Sequence, residues 1–348
     1  MRIALDATYS LGDNLSGVGV YCREMLAGIA RAHPEAELLF CYRFQRWLHS
    51  LRLRLPRHCR RRLLQTPWAP HGVDLFHGLN QRLPSARFRL RVSTFHDLFV
   101  LTGDYSSPEF RRRFQQQARQ AARGSDLIVT VSEFTARQVE ELLGVERARL
   151  RVIRHGVRLP PEDALAEDAA LRRENIVLHV GAVQRRKNIS RLIRAFERLG
   201  SAWRLLLAGS LGFGAEEILR EIESAPWRDR IQVLGYVPEA ELTRLYRRAA
   251  IFAFPSLDEG FGMPVLEAMA WGVPVVTSNR SALPEVAGDA ALLVDPFDVD
   301  EIAGALARLA TDERLRRALI ARGRQRAAAF TWEAAVDRTW SVYEELLG

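Results

Sequence analysis

The stretch SLDEGFGMPVLEAMAWGVPVV, residues 256–276, carries two glutamates, Glu259 and Glu267, on either side of a glycine-rich turn. Gly260, Phe261, Gly262, Met263 and Val265 surround Pro264, which suits the first turn of a helix because it has no amide hydrogen to leave unbonded there. Glycines just ahead of a helix N-terminus let backbone amides approach an anion closely, and the helix dipole adds partial positive charge at the same place. Phosphate is the anion this arrangement favours. Glu259 is expected in the loop and Glu267 about one turn into the helix; two glutamates bracketing such a turn say more than either alone.

A second group is VGAVQRRKNIS, residues 180–190, which contains Lys187, the one lysine among 50 basic residues. A strand is expected to end at Gly181 and a helix to begin near Asn188, a residue able to cap it. Arg185, Arg186 and Lys187 then lie in the loop at the strand's carboxyl end. Arginine offers a planar fork and lysine a compact charge on a flexible stem, and a site that must follow charge onto a leaving phosphate can use both. Earlier in the chain, Gly17 and Gly19 precede a helix, but the third glycine position of a dinucleotide fingerprint holds Cys22, so only loop amides are expected there. His96 and Asp97 follow a strand, where a lone His-Asp pair braces or caps more often than it reacts. There is no lysine-containing phosphate loop, no Gly-x-Ser-x-Gly elbow and no cluster of metal-ligand spacing. The positive groups available to a diphosphate are protein groups, and no metal is expected.

These residues need strand ends to hold them. RIALDA, ELLFCY, VDLFHG, RVSTFHD, DLIVTVS and LRVIRHGV read as buried strands of a first half, with a helix stopped by Gly144 between the last two. NIVLHVG, WRLLLAG, IQVLGY, AIFAFPS and VPVVTS restart the rhythm, with a helix carrying Ile189, Leu192, Ile193 and Phe196 on one face. Near-continuous apolar strands alternating with amphipathic helices predict two α/β domains with parallel, doubly covered sheets. The expected domains are 1–165 and 166–330, with the helix 331–348 packing back on the first and the Pro/acidic stretch RLPPEDALAEDAALRRE, residues 158–174, as linker. Strand carboxyl ends of both would line a cleft between them, where open α/β sheets bind ligands.

A chain of 348 residues is long enough for two such cores. No apolar run approaches a membrane span, and MRIALDATYS reads as a first strand and not a signal peptide. The three cysteines lack disulfide or metal spacing, so a reducing cytoplasm is expected. The net charge of +8 lies wholly in residues 1–170, with 26 arginines against 18 acidic residues. Its densest part, residues 42–64, mixes arginine with Phe44, Trp47 and leucines. This points either to an anionic surface, lipid headgroups above all, or to a solvated arginine-rich helix. No nucleic-acid motif accompanies it, and no nucleic-acid partner is expected.

Taken in order, SGVGVY, FHDL, SEFTARQV, HVGAVQRRKN, LGYVPEAELTRLYRRA, PSLDEGFGMPVLEAMAWGVPVV and ALPEVAGDAALLVDP resemble the motifs of family-four retaining glycosyltransferases, over nearly the full length. The resemblance implies the GT-B architecture of two Rossmann-like domains and a nucleotide-sugar-dependent, metal-independent hexosyltransferase without a resident cofactor. It implies that Arg186 and Lys187 hold the donor diphosphate and Glu259 the sugar hydroxyls. Amides of Gly260, Phe261, Gly262, Met263 and Val265 would meet phosphate and sugar. Glu267 would bind the ribose, main chain at Tyr236 and Val237 the base. His96 would lie near the transferred sugar, and Gly17 and Gly19 near its phosphate. Within the family the chain looks most like bacterial mannosyltransferases of surface-polysaccharide assembly. That implies a GDP- or UDP-linked donor, GDP-mannose first, and a glycan or lipid-linked acceptor. The basic, aromatic first half adds the expectation of a lipid-linked glycan at the inner membrane face, met by a cytoplasmic protein in peripheral membrane contact. Arg185 stands where relatives often have Pro, and His155 where Asn is usual. The alternatives are a sugar-nucleotide epimerase of the same architecture, which would need no acceptor, and a non-catalytic nucleotide-binding protein.

Overall fold

A computed structural model describes residues 1–12, 14–164 and 173–348. The chain divides into two units, Met1–Gly156 with Thr331–Gly348, and Val157–Phe330. Each is a Rossmann-like α/β unit. The expected boundary at 165/166, and residues 165–172 of the linker stretch, lie outside the described residues.

In the first unit the described strands are β1 (Arg2–Asp6), β2 (Glu37–Tyr42), β3 (Cys59–Leu63), β4 (Leu75–Gly78), β5 (Leu90–Phe95), β6 (Leu127–Thr130) and β7 (Leu150–Val152). They form one parallel sheet in the order β3-β2-β1-β4-β5-β6-β7. Strand β3 escapes a reading by pattern: CRRRL has no apolar run, and the segment 42–64 suggested a helix. The structure splits it into a short helix, Phe44–Ser50, and this edge strand. Arginines on an edge strand discourage pairing with another chain. The final helix, Trp332–Leu347, packs on the helix Gly17–Ala32; a Cβ on Gly28 would stand 2.5 Å from Val336 Cγ2, so no larger residue fits at this crossing. His77 Nδ1 and the Tyr343 hydroxyl, 2.6 Å apart, fasten the same helix to β4.

The second unit repeats the topology with β8 (Glu174–Val180), β9 (Arg204–Ala208), β10 (Ile231–Gly235), β11 (Ala249–Phe254), β12 (Val275–Ser278) and β13 (Ala291–Val294). Their order is β10-β9-β8-β11-β12-β13, again parallel. Ile189, Leu192, Ile193 and Phe196 of the helix Ile189–Glu197 are all buried in its core. The strand order reverses between β8 and β11. Chains leaving those two strands run to opposite sides and leave a crevice, the place where a sheet of this kind binds ligands. In the first unit the reversal falls between β1 and β4.

Candidate active site

Arg185, Arg186, Lys187, Glu259 and the glycine turn after it sit on the two loops that leave this reversal point. After β8 the chain makes one tight turn, Arg185–Lys187, and enters the helix through Asn188 at φ 61°. Asn188 stands at the cap position, yet its side chain does not cap. Its amide donates to Pro255 O (3.0 Å) and Pro296 O (2.6 Å), while its Oδ1 accepts from Arg191 (3.0 Å). The asparagine thus ties the β8 loop to the end of β11. That bond, with Leu257 N donating to Arg186 O at 2.9 Å, brings the two loops together.

The result is a buried ion triad. Arg186, Lys187 and Glu259 are each 7% exposed. Arg186 Nη1 lies 3.0 Å from Glu259 Oε2. Lys187 Nζ donates to Glu259 Oε1, which also accepts from Ser256 Oγ at 2.6 Å. Arg186 donates further to the Asp258 carbonyl, and Glu259 N donates to Ser281 Oγ at 3.1 Å. Burial alone would push the Glu259 carboxyl up. Arg186 and then Lys187, with the hydrogen bonds from Lys187 and Ser256, overcome that and hold it down at about 2. Two cations and the carboxylate they share are thus held together largely away from water.

Beneath it is an aromatic shelf. Lys187 Nζ lies 4.6 Å from the centre of the Phe254 ring, on which His179 stacks with centroids 5.4 Å apart. His179 donates through Nδ1 to Ala253 O at 2.9 Å. Burial lowers its pKa to about 4, so it stays neutral beside the lysine.

One residue past Glu259 the chain enters the glycine turn. Gly262 has φ 105°, and a Cβ there would meet Leu283 Cδ2 at 2.6 Å, so backbone conformation and space both demand glycine. It precedes the helix Met263–Ala270, with Pro264 in the first turn. The amides of Gly262 and Met263 have no acceptor among the described residues and are available to an anion. Val265 N donates to Gly262 O at 3.0 Å.

Glu267, half-buried on that helix, accepts from the Tyr246 hydroxyl at 2.9 Å. Desolvation raises its pKa, and the tyrosine's hydrogen bond works against the rise. Tyr246 was not singled out from sequence; the signal is that a buried tyrosine needs a partner for its hydroxyl. Ser256 was missed likewise. Tyr236 and Val237 follow β10 and line a cavity of about 350 Å³ with Gln232, Arg204 and Arg248, none of them in the triad. Arg185 does not join the triad either. It pairs with Glu217 at 2.9 Å and lies over Phe213, bracing its loop against the helix Ala215–Ser224.

Gly17, Gly19 and His96 belong to the first unit. Ser16 Oγ caps the helix Gly17–Ala32 by accepting from Gly19 N at 3.4 Å, so that amide is already used. A Cβ on Gly19 would stand 2.9 Å from Tyr9 O, which is the steric reason for glycine there. His96 is 7% exposed and donates through Nε2 to Leu79 O at 2.9 Å, leaving Nδ1 as its acceptor. Tyr21 meets it edge-on at 4.7 Å, and His155 stacks on it at 5.4 Å. Burial lowers the His96 pKa to about 4. Among the described residues no three His, Cys, Asp or Glu side chains cluster as a metal site, and no helix is long and apolar enough to cross a membrane.

Two parallel Rossmann-like units, with an ion triad and a glycine-led helix start at the reversal point of the second, define a protein of the GT-B class. Two family models fit in tandem: Glycosyltransferase Family 4 over residues 15–159 and Glycosyl transferases group 1 over residues 163–326. The chain is 34% identical to the O-antigen chain mannosyltransferase B of Escherichia coli, over 78% of this chain and 74% of that protein. It therefore belongs to this family of glycosyltransferases. It is also 30% identical to the serotype-specific mannosyltransferase WbdA of Escherichia coli, of which it spans only 32%. Sucrose-phosphate synthase from Thermosynechococcus elongatus shares the fold, with a TM-score of 0.80 over 99% of both chains at 24% identity. WaaG, a glycosyltransferase involved in lipopolysaccharide biosynthesis, gives 0.72 at 15% identity, over 98% of this chain and 99% of that one.

Proposed function

We propose that this glycosyltransferase moves mannose from GDP-mannose, with retention of configuration, to a glycan or lipid-linked acceptor in surface-polysaccharide assembly. The mannosyl part is supported by the relatives named above. The donor part is carried by one observation: Arg186 and Lys187 are buried together on a single carboxylate, beside two unbonded amides at a helix start. Such an arrangement stabilises the charge that develops on a departing diphosphate. Its cations are supplied by the chain, so the reading includes turnover without a resident metal or cofactor. Glu259 holds both cations in place and offers its remaining acceptor capacity to sugar hydroxyls. The anomeric carbon becomes oxocarbenium-like as the diphosphate leaves, and the departing phosphate takes the acceptor's proton on the same face. His96, neutral, serves this reaction as a hydrogen-bonding group and not as a charged acid.

The test is product analysis. GDP-mannose with a mannosylated acceptor should give an α-linked product by NMR, with activity persisting in EDTA and UDP-sugars turned over poorly. An inverted linkage, or isomerised nucleotide sugar formed without acceptor, would sink the reading; the latter would favour an epimerase.

We assign the ribose to Glu267, with Tyr246 holding its carboxylate. Tyr246→Phe removes one hydrogen bond to a charged group and should raise the donor KM about threefold to tenfold, with kcat little changed. The same change should shrink the preference for the donor over its 2′-deoxyribose analogue. An unchanged preference alongside a raised KM would make Tyr246 a packing residue only.

A further inference from the structure

In the first unit the helix Phe44–Ser50 shows the solvent an apolar side that nothing in its own fold uses. Its inward side is settled: Ser50 is fully buried, its hydroxyl donates to Trp47 O at 2.6 Å, and Arg61 Nε on β3 donates to Ser50 O at 2.8 Å. With those positions turned inward, Phe44, Leu48 and Leu51, spaced four and then three residues apart, face out. They are 69%, 73% and 53% exposed, and Leu53 just beyond is 40% exposed. Scattered exposed leucines are ordinary, but an aligned row on one helix face marks an interaction surface.

Charge says what kind. From residue 38 to residue 73 the chain has eight arginines and no acidic residue. Some of these arginines are engaged: Arg43 with Asp6, Arg60 with Glu37, and Arg61 with backbone carbonyls. Arg46, Arg52, Arg54 and Arg57 are exposed, and their side chains bond nothing among the described residues. An apolar row flanked by uncompensated guanidinium groups matches a surface that is apolar below and anionic above. A helix of this kind lies in the headgroup plane with its apolar face sunk toward the acyl chains, while arginine stems reach back to phosphate. A nucleic acid would leave the aliphatic leucines without a partner.

We propose that the outward face of Phe44–Ser50 and the arginine-rich loop after it dock this protein on an anionic phospholipid surface. None of the residues assigned to the donor takes part, so vesicle binding and donor binding are measured separately and one reading can fail without the other. The test is cosedimentation of the full chain with vesicles of phosphatidylcholine alone and of phosphatidylcholine mixed with phosphatidylglycerol. The chain should sediment with the mixed vesicles only. R46Q/R52Q/R54Q should weaken binding about fivefold per neutralised arginine. F44S/L48S/L51S, which leaves the charge intact, should weaken it about tenfold or more. Both variants should keep the parent's thermal unfolding and nucleotide binding, because every changed side chain is exposed. Equal binding to both vesicle types, no binding to either, or undiminished binding by F44S/L48S/L51S would overturn the proposal. So would a single-stranded RNA that displaces the parent from vesicles and binds F44S/L48S/L51S equally well.

Discussion

Glu259→Ala is expected to destabilise the second unit by about 3–5 kcal/mol, because it removes the carboxylate on which two buried cations meet. The reason is in the contact set. Glu259 is where Arg186, Lys187 and Ser256 meet, and the carboxyl is held at about 2 against the opposing effect of burial. Turnover should fall about a hundredfold or more, since cations that must stabilise the leaving diphosphate would lose their fixed positions. Glu259→Gln keeps the shape and the hydrogen bond from Ser256 but loses the charge, so it should recover packing and little activity. Urea denaturation and single-turnover rates separate the two effects. A nucleoside diphosphate should recover part of the lost stability of the alanine variant, by binding only its folded form. A Glu259→Ala chain with the parent's denaturation midpoint would show that the triad does not hold the loops together.

Acid should destabilise the first unit as pH falls below about 6.5. His77, His96 and His155 are buried there as neutral rings: burial lowers His77 to about 3, His96 to about 4, and His155 well below its ordinary value. In the unfolded chain each binds a proton near pH 6.5. Between that pH and the folded values the unfolded state holds more protons, so stability is full at neutral pH and falls as pH drops below about 6.5. Each histidine contributes about 1.4 kcal/mol per pH unit, and three together at most about 4. In the second unit His179 acts in the same direction, whereas the raised Glu267 acts oppositely by taking up a proton more readily when folded. Glu259 contributes stability that is present above about pH 4.5 and lost as pH falls toward 2, below the histidine window. Denaturation midpoints at about pH 7 and about pH 5 test this, with His77→Gln expected to flatten the dependence. Equal midpoints at the two pH values would overturn it.

Much of the second-unit site was legible because its signals are local. A glycine before a helix, a proline in its first turn and cations after a strand end are all written within a few residues of one another, and short-range sterics make them readable. Alternating apolar strands and helices likewise declared two parallel-sheet units, since periodicity follows from which faces are covered. Strand β3 was not legible, because an edge strand held by its backbone needs no apolar alternation.

What tertiary structure decided is who meets whom. Lys187 and Glu259 are 72 positions apart and meet because β8 and β11 are neighbours in the sheet, a strand order that no local pattern encodes. The same order sends Arg186 inward and leaves Arg185 with Glu217, although the two arginines are adjacent and chemically alike. It also sets Tyr246 against Glu267, and His155 against His96. The sequence alone determined which chemical groups stand at the strand ends. Only the fold decided which of them share a buried, low-dielectric space, where pairing becomes strong and an unpaired charge becomes costly.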